Sequence, residues 1–418
     1  MSPGNGSPAV CLGCGCACDD IAITLSGGRI AAAANACALG LAWYGDGSVP
    51  SRVTVNGVPS ARDAAVRQVA EAIGGGRAMV YLAPDITTEA QREAIALADR
   101  AGARLDSATS DTAAIGILVG QRRGRAAATL GELRNRADML VFWAVDPGTR
   151  YPRYLSRYAL NPSATHVTSG GRAVVAVDVG SARGPGEAKA RLALAPGDEV
   201  AALGLMRAAV VGRDVSELPA PLAAAADLAR RMAQARYVGI VHDGEPGSEP
   251  ADPQRAEGLV ALAQALNGPT RCALSSLRAG GNRSGADTAM TWQTGFPFAV
   301  DFGAGFPRYR PDTPASAALG EVAAVLIVGS PEGVPPAVVD ALAGRRVAVI
   351  GPRASEAPFP FEVAIDTGVA GIHEAGIAYR MDDVPLPVPQ LIPGPPATVS
   401  VLKSVAEMLR PGAKGAAR

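Results

Sequence analysis

Six continuous apolar segments of strand length, alternating with helical patterns, constrain this chain more than any other feature. They fall at 78–84 (AMVYLAP), 139–147 (MLVFWAVDP), 172–178 (RAVVAVD), 237–243 (YVGIVHD), 321–330 (EVAAVLIVGS) and 345–352 (RRVAVIGP). A strand that is apolar at every position has both faces buried, which is the mark of a parallel sheet with helices on each side. The helical patterns lie at 60–73 with Ser60 as the expected N-cap, at 85–102 ending on glycine, at 112–136 with Thr129 as a cap, and at 198–211, 217–236 and 254–268. The fold class is therefore α/β. Gly27-Gly28 and Asn56-Gly57 each mark a hairpin, Gly74-Gly75-Gly76 a helix stop, and 179–196 a loop-rich stretch. A length of 418 residues suits two or three domains. The pattern divides into a cysteine-rich module at 1–58, a first α/β domain at 59–180, a second at 181–396 holding a long irregular loop at 279–312, and a C-terminal helix and tail at 397–418.

Five of the six cysteines fall between residues 11 and 37. Cys11, Cys14 and Cys18 share one tight loop, eased by Gly13 and Gly15, and Cys37 follows a hairpin. Four thiolates can hold a [4Fe–4S] cluster or a tetrahedral Zn²⁺, and clustering without a secretory signal favours such chemistry over disulfides. The alternative is a reduced, metal-free thiol cluster. Cys16 is a spare thiol or substitute ligand, and Cys272, in TRCALSSL, is a buried small hydrophobe.

Composition removes several classes. Lys+Arg and Asp+Glu are both 39, so no global field draws nucleic acid or anionic lipid. The N-terminus carries no basic or apolar targeting pattern, and no run reaches the ~18 apolar residues of a membrane span, so a cytoplasmic protein is expected. G-x-G-x-x-G, Walker A and G-x-S-x-G motifs are absent. His373-Glu374 lacks a second zincin histidine, and His166, His242 and His373 read as structural. Arg122-Arg123-x-Arg125 reads as a solvated helix end, and Asp19-Asp20 as caps or a partner contact.

A resemblance then becomes specific. The stretches at 11–21 (CLGCGCACDDI), 35–40 (NACALG), 129–147 (TLGELRNRADMLVFWAVDP), 290–311 (MTWQTGFPFAVDFGAGFPRYRP) and 374–388 (EAGIAYRMDDVPLPV) resemble the B subunit of formylmethanofuran dehydrogenase, in the molybdopterin oxidoreductase superfamily. The resemblance implies a multi-domain α/β body with a small cluster-binding module, and places Cys11, Cys14, Cys18 and Cys37 at the family's [4Fe–4S] ligands. Active members hold a metal between pterin dithiolenes with a cysteine or selenocysteine ligand. Here the matching stretch at 105–121 has neither cysteine nor histidine; its nearest equivalents are around Asp111 and Thr112, and Ser110 or Asp111 is the oxygen ligand the superfamily would allow. Where relatives read W-G-x-N-P, this chain has Ala144 in place of the glycine.

Both departures fit a second setting of the same pattern, the B subunit of a bacterial formyltransferase/hydrolase complex. There a formyl group passes from formyl-tetrahydromethanopterin to a methanofuran-type carrier and leaves as formate. The expectations that follow are a non-redox structural subunit with no catalytic residue of its own and no tungstopterin or molybdopterin. Its partners are the other three subunits of the complex: an amidohydrolase-like one, a formyltransferase and a third of unassigned chemistry. The 290–311 loop and the C-terminal helix are the candidate contact surfaces. The alternative is an active tungsten or molybdenum formylmethanofuran dehydrogenase subunit.

Overall fold

Both glycine signals near the N-terminus become hairpins in the computed structural model, which describes residues 6–160, 167, 171–215, 217–245 and 252–409. A meander of β1 (Ser7–Ala9), β2 (Ile21–Ser26) and β3 (Arg29–Ala34) turns at Gly27 and Gly28, whose φ values are +57° and +76°. α1 (Ala38–Tyr44) follows. β4 (Val53–Val55) and β5 (Val58–Pro59) close over Asn56 and Gly57 at +50° and +75°. Positive φ at both central residues is what a two-residue hairpin of matching twist requires.

α2 (Arg62–Gly74) starts with Ala61, not Ser60, at its cap and makes no side-chain cap bond. β6 (Ala78–Leu82) leads to α3 (Thr88–Ala101), where the Thr87 hydroxyl accepts from the Ala90 amide and Gly102 stops the helix at φ +64°. After β7 (Arg104–Ser107) the chain forms α4 (Ala108–Thr112).

The chain forms two units, one of 1–114 with 279–418 and one of 115–278. The second is entered along α5 (Ala114–Arg123) and continues through α6 (Leu130–Arg136), β8 (Met139–Trp143), β9 (Ala173–Val179), β10 (Ala190–Leu194), α7 (Glu199–Val210), α8 (Ala220–Gln234), β11 (Tyr237–Asp243), α9 (Pro253–Leu266) and β12 (Arg271–Leu277). Its five strands are all parallel, in the order β10-β9-β8-β11-β12. Strand β10 lies inside the stretch read as loop-rich. Val141, Trp143, Val177 and Ile240 face α7, α8 and α9 through Leu203, Met206, Leu228, Met232, Leu259 and Leu262. Cys272 is buried on the same side, as expected, and burial pushes its thiol up to about 12.

The first unit resumes with α10 (Arg283–Thr294), β13 (Val300–Asp301), β14 (Arg308–Tyr309), α11 (Ala315–Ala318), β15 (Ala324–Val328), α12 (Pro336–Ala341), β16 (Arg346–Gly351), β17 (Val363–Asp366), β18 (Gly376–Tyr379), β19 (Pro385–Val388) and α13 (Thr398–Met408). Its large sheet has nine strands ordered β14-β13-β7-β6-β15-β16-β17-β4-β5, parallel from β7 to β17 and antiparallel at both edges. Alternation sends Val80, Leu82, Leu326 and Val328 to α2, α3 and α13, and Met79, Tyr81, Val325 and Ile327 to α11 and α12. Two buried faces account for the unbroken apolar runs.

One face of the C-terminal helix is spent on the core: Val401, Leu402 and Val405 of α13 are buried against α2 and α3. One expectation fails here. The 279–312 loop contains α10, whose Thr288, Thr291 and Thr294 hydroxyls bond the carbonyls of Ser284, Asp287 and Met290 at 2.7–2.8 Å. That back-bonding lets poor helix formers sit in a helix without exposing their donors. Among the described residues no helix is long and apolar enough to cross a membrane.

Ala279–Asn282 fastens these pieces. A Cβ on Gly280 would lie 2.4 Å from the Leu12 carbonyl oxygen, and one on Gly281 2.3 Å from Pro84 Cβ. Asn282, buried at φ +67°, donates to the Ile86 carbonyl (2.9 Å) and accepts from the Tyr379 amide (2.7 Å). Its own carbonyl accepts from Gln91 Nε2 at 2.9 Å. Asn282→Ala is expected to cost about 3 kcal/mol, since it strands a buried donor and acceptor at a left-handed position. Gly116→Ala, whose Cβ would meet nothing within 4 Å, serves as the control. Thermal or urea denaturation checks both.

Candidate functional site

In open α/β sheets ligands collect at the carboxyl ends of the strands, where the winding reverses direction. Each unit has one such point. In the large sheet it lies between β6 and β15, because β6 leads to β7 on one side while β15, β16 and β17 run the other way. The loops that follow these strands put Asp85, Ser330, Glu332 and Arg353 around a cavity of about 200 Å³ that Trp43 and His373 also line. Trp43 Nε1 donates to Asp85 Oδ1 at 3.2 Å, and burial holds the Asp85 carboxyl above its ordinary range. Asp85 and Arg353 both sit at positive φ, +69° and +56°. His373 is structural: Nε2 meets the Gly47 carbonyl at 2.8 Å and Nδ1 accepts from the Val369 amide at 3.2 Å. Glu374 ties two helix starts, accepting from the Thr87 hydroxyl and the Thr398 amide.

In the five-stranded sheet the reversal lies between β8 and β11. Trp143, at the end of β8, donates to buried Glu199 at 2.6 Å, and Arg255 grips the same carboxylate twice. Ala144 holds φ +51°, the conformation expected of the glycine it replaces. After β11, Asp243 pairs with Arg150 at 2.6 Å and Glu245 with Arg278 at 2.9 Å. His242 Nε2 lies 2.8 Å from the Ser276 hydroxyl, and burial, aided by Arg125 and Arg255, pushes the imidazole down to about 4. It stays neutral at pH 7, a hydrogen-bonding group and not a cation. His166 lies outside the described residues.

The cysteine loop is closed by Cys11 N donating to the Cys18 carbonyl (3.0 Å) and Ala17 N to the Cys14 carbonyl (3.1 Å). The Gly281 and Met381 amides pin it from outside. Cys11, Cys16 and Cys18 are buried, Cys14 and Cys37 half-buried, and none of them forms a disulfide. Cys37 precedes α1 as its N-cap. The expected [4Fe–4S] cluster or zinc needs correction. Among the described residues no three His, Cys, Asp or Glu side chains are arranged to hold a metal ion. Spacing brings the four sulfurs into one neighbourhood, as the influence of Cys14, Cys18 and Cys37 on Cys11 shows, but it does not aim them at one point. Burial drives the Cys11 thiol up to about 12.

The strand end after β7, where the resemblance puts a metal-ligating cysteine, carries oxygen donors alone. Each is engaged within the protein. Asp106 accepts from the amides of Ser107 (2.8 Å) and Ala299 (3.1 Å). The Ser110 hydroxyl accepts from the Ala315 amide (3.0 Å), Asp111 takes the Ser316 amide and hydroxyl, and the Thr109 hydroxyl donates to Asp287 at 2.6 Å. This donor set does not fit a pterin-held tungsten or molybdenum. Sequence reasoning missed Asp85, Ser330, Glu332 and Arg353, although each follows an apolar strand within four residues, close to a glycine or proline.

No protein-family model matches the chain. It is 27% identical to the B subunit of tungsten-containing formylmethanofuran dehydrogenase 2 of Methanocaldococcus jannaschii, over 96% of this chain and 98% of that protein. It is 30% identical to the B subunit of the formyltransferase/hydrolase complex Fhc of Methylorubrum extorquens, over 76% and 85%. A chain of the crystal structure of the formyltransferase/hydrolase complex FhcABCD from Methylorubrum extorquens with methylofuran superposes with a TM-score of 0.73 at 25% identity, covering 85% of this chain and 98% of that one. The two α/β units thus have a molybdopterin-oxidoreductase-like fold. The chain belongs to the B-subunit family shared by formylmethanofuran dehydrogenase and the Fhc complex.

Two expected outcomes follow. Asp106 is buried, and its carboxyl is pushed up to about 7 by that burial against the pull of its hydrogen bonds. Between its ordinary value of 3.8 and about 7 the folded chain holds a proton that the unfolded chain has released. Stability from this group therefore falls as pH rises through that window. Asp106→Asn is expected to raise the melting temperature relative to wild type at pH 8 and not at pH 4, read by circular dichroism. In the second, a chelator such as phenanthroline is expected to leave the melting temperature of the purified chain unchanged; a large drop would show a structural metal.

Proposed function

We propose that this chain is the B subunit of a formyltransferase/hydrolase-type complex and acts as a non-redox scaffold. In this reading the complex takes formyl-tetrahydromethanopterin, passes the formyl group to a methanofuran-type carrier and releases formate. The partners are the three other subunits, one amidohydrolase-like, one a formyltransferase and one of unassigned chemistry. Hydrolysis would belong to the amidohydrolase-like partner, where a bound metal would supply an activated water for the formyl carbonyl. The role of this chain is to hold partner surfaces in register with rigid sheets.

The observation that carries the reading is the strand end after β7. A redox subunit needs an open ligand there, and Asp106, Ser110 and Asp111 instead bond the backbone and side chains around them. The 30% identity to the B subunit of a formyltransferase/hydrolase complex supports the same setting. The tungsten-containing relatives, similar over nearly the whole chain, share the scaffold.

Metal analysis and activity of the purified complex test this together. The expected outcome is formate release without an electron acceptor, and tungsten and molybdenum far below one atom per chain. Stoichiometric tungsten or molybdenum, with dye-linked oxidation of the formyl carrier, would overturn the scaffold role.

A further inference from the structure

The five-stranded unit carries a groove that neither reversal point explains. It runs between α7 and α9 beside the end of α5, encloses about 380 Å³, and is lined by Val200, Leu203, Gly204, Gly258, Arg123 and Arg207. Its two glycines have different reasons. A Cβ on Gly258 would lie 2.6 Å from Leu203 Cδ1, so that glycine lets the two helices touch. A Cβ on Gly204 would meet nothing within 4 Å. A glycine in mid-helix costs about 1 kcal/mol against alanine, and packing does not require this one. What Gly204 does is keep the groove floor bare.

The apolar line continues past the groove. Val200, Gly204, Arg207 and Val211 fall at i, i+4, i+7 and i+11, one stripe about 16 Å long. Val200 is 46% and Val211 56% exposed. That length suits a segment of chain better than a compact small molecule. The rim is positive. Arg122 and Arg123 both pair with the single carboxylate of Glu257, and Arg207 has no ion pair among the described residues. Three guanidiniums against one carboxylate leave an excess of two positive charges.

We propose that this groove seats an apolar, carboxylate-bearing segment of a partner protein in the complex. Aliphatic or aromatic side chains of that segment lie on Val200, Leu203 and the bare backbone of Gly204, and acidic side chains meet Arg207 and Arg123. This is the helix-in-groove mode, with charge choosing the partner. It rests on the reading of the chain as one member of a complex, since it supplies the surface that reading needs.

The test uses the full chain co-expressed with its partners, with assembly read by size-exclusion chromatography with light scattering and affinity by interferometry against each purified partner. Gly204→Trp fills the groove from a position with open space around it, and Arg207→Glu inverts the rim charge; melting curves confirm that both fold. The expected result is that each variant weakens binding to one and the same partner by about tenfold or more. Wild-type binding to that partner also weakens as salt rises, while Leu25→Trp, on an exposed strand of the other unit, binds as wild type. Assembly of both groove variants with wild-type affinity would overturn the groove proposal and leave the reading of the chain as a complex member standing. Failure of the wild-type chain to assemble with any partner would overturn the reading itself. Self-association of the wild-type chain that Gly204→Trp abolishes would assign the groove to a second copy and overturn the partner proposed.

Discussion

One buried asparagine holds the large unit together. Asn282 sits at a left-handed φ that only glycine and small polar residues adopt readily, and its amide reaches the loop after β6, the start of α3 and strand β18 at once. The two glycines before it let the cysteine loop and Pro84 come within van der Waals contact of the backbone. Gly285 continues the pattern, since a Cβ there would fall 2.0 Å from the Asn282 side-chain oxygen. A residue with any bulk in this run would push the N-terminal module off the sheet. The junction, not the cysteines, fixes where that module lies.

The cysteine loop shows the same reliance on the main chain. Its docking bonds include those that the Leu12 and Gly15 carbonyls accept from the Gly281 and Met381 amides. The same holds at Ala144, which keeps the left-handed conformation of a glycine at a cost of about 1–2 kcal/mol, while its amide still bonds the Val177 carbonyl at 2.7 Å. Main-chain hydrogen bonds hold the path of the chain at both places.

Much of the fold was legible because the strands are apolar at every position. Ala78–Leu82, Met139–Trp143, Tyr237–Asp243, Ala324–Val328 and Arg346–Gly351 all fall inside segments read as buried parallel strands. The hairpins were legible from Gly27-Gly28 and Asn56-Gly57, and Thr87, Thr129 and Gly102 cap as such residues should. Strand β10 was not, because Arg191 breaks its apolar run; that side chain reaches Asp178 on β9 with two bonds of 2.6 and 2.8 Å. Helix α10 was not, because its threonines satisfy themselves along the helix. The crevice at β6 and β15 was not, because Asp85, Ser330 and Arg353 come from loops about 245 and 23 residues apart and meet only through strand order. The metal expectation failed for a related reason: spacing fixes which cysteines are neighbours, and only the three-dimensional path of the loop fixes where their sulfurs point.

The oxygen network after β7 also fixes what a cysteine at this strand end would cost. The Ser110 hydroxyl accepts the Ala315 amide at the start of α11, and Asp111 accepts from Ser316 one residue on. A sulfur in place of the Ser110 oxygen is a weaker acceptor, so the buried Ala315 amide would lose its partner and α11 its anchor. Asp106 takes the Ser107 and Ala299 amides on one carboxylate oxygen, Oδ1. These acceptors tie the strand end, α4 and α11 together, so a change at one disturbs the others.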